Sequence, residues 1–65
     1  MENELNQVNF LEECLGQRIK IFFLAEEDPL KARLLWFDSE TLGVRMDNSS
    51  EILIFKHAIV LIKKL

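Results

Sequence analysis

The sequence predicts a mainly β domain in which an N-terminal α-helix is followed by a strongly bent five-stranded antiparallel sheet, a small open barrel. Three observations carry this expectation. One segment near the start has apolar residues at helical spacing and stops at a glycine. The rest divides into five short stretches, alternating or wholly apolar, each bounded by turn residues. No helical segment lies between any two of the five, which excludes the βαβ units of a parallel sheet.

Leu5, Val8, Leu11 and Leu15 form the helical stripe. Asn3 or Asn6 can cap its start, and Gly16 is the expected stop just past its end. So short a helix does not persist alone in water, and its stripe has to rest on the strands. Residues 18–24 alternate, with Ile19, Ile21 and Phe23 on one face and Lys20, Phe22 and Leu24 on the other, as a strand of period two requires. Ala25-Glu26-Glu27-Asp28-Pro29 is an acidic loop in which Pro29 discourages a continuous strand. Residues 30–37 alternate again, with Leu30, Ala32, Leu34 and Trp36 facing one way, and Asp38-Ser39-Glu40 is the exit turn. Residues 41–47 place Leu42, Val44 and Met46 inward, and Gly43 marks a bend or a close backbone approach. Asn48-Ser49-Ser50 turns the chain into a fourth strand over 51–55, making a hairpin. After a tight Lys56-His57 corner, residues 59–62 form a last strand that is apolar on both faces, as suits pairing with a neighbour. Lys63-Lys64 is a solvated tail.

The 65 residues make one domain, 1–65. A chain of this size buries only about 60% of its unfolded surface and needs a staple. A single cysteine, Cys14, excludes an internal disulfide and has no companion for a metal site, so self-association is the remaining candidate. Hydrophobic residues make up 49% of the chain without any long unbroken apolar span, which excludes a membrane-crossing helix. No secretory pattern is read at Met1, so the expected location is cytoplasmic. The net charge of -3 argues against a generally basic nucleic-acid binder, and any RNA site must be local.

Catalysis is not expected: lone His57 has no nucleophile or carboxylate nearby in sequence, and the two glycines form no phosphate loop. No metal or cofactor is expected. Glu12-Glu13 and Glu26-Glu27-Asp28 read as solvated faces. Trp36 and most of the phenylalanines lie at core spacing, whereas Phe22 and Leu35 suit an interface or ligand contact.

The corner Phe55-Lys56-His57-Ala58-Ile59 resembles the Tyr-Lys-His-Ala-Ile signature of the Hfq family, the bacterial Sm-like RNA chaperones. Gln7-x-x-Phe10-Leu11 is similar to the Gln-x-x-Phe-Leu of that family's helix, and Phe37-Asp38 to the Phe-Asp closing its second strand. The resemblance implies an Sm-like fold and a homo-hexameric ring, closed by pairing the fourth strand with the fifth of the next subunit. It implies binding of uridine-rich single-stranded RNA at the pore through Lys56 and His57, with Gln7 assisting, and pairing of regulatory RNAs with messengers. Thr41-Leu42 stand where the family has Gln-Phe, so that Leu42 would cover the base. On the distal face, which in the family takes adenine-rich RNA, Phe23, Leu30 and Lys31 are the candidates. There Glu26-Glu27-Asp28-Pro29 replaces an Asn-Gly turn and predicts poor binding. Arg18 alone represents the family's basic rim. The alternative reading is an Sm-fold association module that binds little or no RNA.

Overall fold

The computed structural model describes residues 3–65, with side chains described from residue 9 onward. Helix α1 (Asn3–Cys14) precedes strands β1 (Arg18–Phe23), β2 (Leu30–Phe37), β3 (Thr41–Arg45) and β4 (Glu51–Phe55). A single 3₁₀ turn (Lys56–Ala58) then leads into β5 (Ile59–Lys64). All strand pairs are antiparallel in one sheet of order β4-β3-β2-β1-β5. The mainly β class and the order of helix and five strands are as predicted. The sheet does not close on itself, so β4 and β5 are its two edges.

Alternation builds the core as expected. Ile19 and Ile21 of β1, Ala32 and Leu34 of β2, Leu42 and Val44 of β3 and Ile54 of β4 are buried on one side of the sheet, where Leu11 and Cys14 of α1 join them. Each fully buried Ile or Leu contributes about 1.5–3 kcal/mol of transfer free energy. Burial also pushes the Cys14 thiol above its ordinary pKa, which keeps it protonated at neutral pH. Leu5, Val8 and the Asn3 and Asn6 caps lie outside the described side chains.

Gly16 has φ +77°, the left-handed conformation expected just past a helix end. Leu15, assigned to the helical stripe, is corrected: it follows the last helical residue and is exposed. The junction hydrogen-bonds directly onto β2. The Gly16 amide donates to the Leu34 carbonyl at 2.8 Å and the Leu34 amide donates to the Gln17 carbonyl at 3.0 Å. The Arg33 guanidinium donates to the Gly16 carbonyl.

Other corrections have local causes. β1 ends at Phe23 because the chain bends away at Leu24, and β3 ends at Arg45 because the Met46 amide closes the following turn onto the Ser50 carbonyl at 2.8 Å. Ser49 takes φ +74° in that turn. The solvated tail is instead strand: Lys63 pairs with Lys20 and Lys64 with Ile19, and Lys64 also meets Glu13 at 3.2 Å. Trp36 does not join the core. A bulge between Leu34 and Trp36 breaks the period of two and turns the indole to the outer face, 42% exposed. There it crosses Gly43: a Cβ at Gly43 would lie 2.2 Å from the ring. The glycine is the close approach that its position inside a strand suggested.

Candidate functional site

Lys56 and His57 begin the 3₁₀ turn, and three backbone bonds hold it. The Ile59 amide closes it onto the Lys56 carbonyl. The Leu24 amide, beyond the end of β1, donates to the Ala58 carbonyl at 3.0 Å. The Lys56 amide donates to the Glu40 carbonyl at 2.8 Å, tying the turn to the loop between β2 and β3. A corner that sequence marks only as polar is thus fixed to both neighbouring loops.

The two side chains meet different surroundings. The Lys56 ammonium lies 5.7 Å from the Phe37 ring centroid, a cation–π contact of about 1 kcal/mol between two half-buried side chains. His57 is exposed and stacks on Phe55, with centroids 5.8 Å apart and rings 24° from parallel. His57 also borders an open hollow of about 740 Å³ that Phe23, Leu30, Ile54 and the acidic residues Glu26 and Asp28 help to line.

Asp38 organises the floor beside Lys56. Its carboxylate accepts from the Thr41 hydroxyl and the Thr41 amide, both at 2.7 Å, and from the Glu40 amide at 2.9 Å. The Thr41 hydroxyl bond, then the two amide bonds and the charge of Lys56, hold the Asp38 carboxyl below its ordinary pKa. A carboxyl depressed in the folded state stabilises it above the unfolded value, about pH 3.9, and the contribution is lost as pH falls through the folded value. Asp38→Asn is therefore expected to flatten the acid branch of stability. Melting temperatures of parent and variant, measured between pH 6 and pH 2, should converge on acidification; a gap that stays constant would refute the assignment.

Leu42, expected over a base, is corrected. The inward alternation of Leu42 and Val44 encloses it completely in the core, and no ligand can reach it. Thr41 is half-buried with its hydroxyl on Asp38. The side chain of Gln7 lies outside the described residues. Phe23 and Leu30 share the lining of the hollow beside His57, but Lys31 does not join them. Phe23 follows Ile19 and Ile21 to the inner side and packs partly against the core, as does Leu30, and only Lys31 projects from the outer face. Phe22, not Phe23, is the outward aromatic of β1. Arg18 is exposed and pairs with Asp47 at 3.2 Å. Phe37 and Asp38 are the neighbours of Lys56 that no local pattern identifies as site residues; their one signal is the Phe37-Asp38 match.

Among the described residues no group of His, Cys, Asp or Glu could hold a metal ion, and no helix is long and apolar enough to cross a membrane. No curated protein matches the chain. The model of one family, described as Hfq related, matches residues 16–64, which takes in all five strands and the Lys56-His57 turn. With the helix, the strand order and this turn already in place, the match shows that the chain belongs to the Hfq-related family of Sm-like proteins.

Proposed function

We propose that the chain assembles into a ring and binds uridine-rich single-stranded RNA at the pore, acting in the cytoplasm on pairing between RNAs. The observation that carries this reading is the mounting of Lys56, half-buried beside Phe37, and of exposed His57 on a turn bonded to two loops. Assembly is supported by the two open edges. β4 exposes Ile52, Leu53 and Phe55, and β5 exposes Val60 and Leu61. Pairing β4 of one copy with β5 of the next joins two different edges, so repetition closes a ring when the subunit angle allows, and a hexamer is the size the family resemblance implies. A ring repeats the Lys56 charge around one axis, so an acidic chain can still present a local positive annulus.

Lys56→Ala is expected to weaken binding of a labelled oligouridine about tenfold or more, since a charge-assisted hydrogen bond contributes about 1.5–3 kcal/mol. It should also flatten the salt dependence. Fluorescence anisotropy on the assembled variant measures both, and unchanged affinity would refute the reading. The enclosure of Leu42 and the acidic Glu26-Glu27-Asp28 loop favour a second reading, a ring for protein association alone. Native mass spectrometry with and without oligouridine separates the two, because that reading allows a ring that takes up no RNA.

A further inference from the structure

The hollow beside His57 brings two kinds of surface into one space. Most of its lining is apolar: Phe23 and Leu30 pack against the core, and Ile54 is buried in it. Leu24 and Ile52 add apolar surface that stays exposed to water. Glu26 and Asp28 bring two carboxylates, and no Lys or Arg belongs to the lining. Glu27, between them in the chain, does not take part.

The two carboxylates lack a counter-charge within the chain. Among the described residues the ion pairs engage Glu13, Asp47 and Glu51, and none reaches Glu26 or Asp28. The loop that carries them is constrained. Pro29, itself in the lining, has a fixed φ. The Leu24 amide donates to the Ala58 carbonyl at 3.0 Å, so the loop and the 3₁₀ turn form one continuous wall. An extended peptide needs a groove open at both ends, whereas this hydrogen-bonded wall closes one side. The volume of about 740 Å³ falls in the roughly 300–1,000 Å³ range of sites for drug-sized molecules, which are apolar with a few placed polar groups.

We propose that the hollow is a binding site for a small organic ammonium ion, an aryl- or alkylamine. Its apolar body covers Phe23, Leu30 and Ile52 while its N–H groups donate to the Glu26 and Asp28 carboxylates. The body removes from water apolar surface that the chain alone leaves wet, and the ammonium supplies the counter-charge that the two carboxylates lack. The same carboxylates disfavour any phosphate-bearing ligand, so the hollow selects for the charge opposite to that of RNA. Lys56 is not part of the lining, and His57 is the one residue that the hollow shares with the RNA reading.

The test titrates the full chain with naphthylmethylamine, read by calorimetry and by backbone amide shifts in NMR. Naphthylmethanol and naphthoate, which present the same apolar body with no charge or a negative one, are the comparisons. The amine is expected to bind about tenfold more tightly than the alcohol, the naphthoate more weakly than either, and the shifts to fall within residues 23–30 and 52–58. Glu26→Gln together with Asp28→Asn should weaken amine binding about tenfold and leave the alcohol unchanged. Glu27→Gln, which removes a neighbouring charge outside the lining, should have little effect. The comparison of probes on the parent chain stands even if a variant folds poorly. Binding of the alcohol as tight as that of the amine, equal weakening by Glu27→Gln, shifts confined to other parts of the chain, or uptake of a basic peptide but not of the amine would each overturn the proposal.

Discussion

Leu34→Ala is expected to leave the chain largely unfolded at room temperature. Leu34 is completely enclosed in the middle of β2, opposite Val44, and its own amide and carbonyl carry the two bonds that receive the helix–strand junction. Truncating a buried leucine costs about 2–5 kcal/mol, through reduced transfer free energy and the cavity left behind. Stability of about 0.05–0.15 kcal/mol per residue puts the total for so small a domain in the same range. Urea titration followed by circular dichroism should place the variant's midpoint near zero denaturant. A midpoint close to the parent's would mean that the site collapses around the smaller side chain, or that assembly supplies most of the stability.

Gly43→Ala is expected to be the next most damaging change, although it adds a single methyl group. The new Cβ would overlap the rigid, bonded edge of the Trp36 indole, so either the ring leaves its place or β3 separates from β2. Overpacking of this kind costs about 1–3 kcal/mol. The indole can swing outward because it is at the surface, and the single tryptophan reports that movement as a red shift of its emission. Trp36→Ala in the same chain should recover most of the stability, since the overlap requires both side chains. A Gly43→Ala chain with the parent's stability and emission would contradict the packing.

The parts of the fold governed by local periodicity were legible. Ile19 and Ile21, Ala32 and Leu34, and Leu42 and Val44 alternate as the strands demand, and Gly16 stops the helix where its conformational freedom is used. What was not legible depends on register between strands. The bulge after Leu34 turns Trp36 outward, yet nothing in a run of Leu and Trp distinguishes a bulged strand from a regular one. Lys63 and Lys64 have weak strand preference, and pairing with β1 overrides it. The site divides in the same way. Lys56 and His57 could be singled out from a contiguous motif, whereas Phe37 and Asp38 lie far back in the chain and reach Lys56 only through the fold. Leu42 was misplaced because a residue can match a family's binding position and still follow the inward alternation of its own strand.

The hydrogen bonds that Gly16 and Gln17 make with Leu34 bear on how the molecule comes apart. They prolong the β1–β2 ladder back to within two residues of the end of α1, so helix and sheet are joined without slack. A helix too short to hold its shape in water gains its persistence from this rigid hinge and from Leu11 and Cys14 beneath it. Lifting α1 away would strain the central rungs of β2 and not just a terminal appendage. The last turn of α1, which carries Leu11 and Cys14, is therefore expected to come apart together with the sheet.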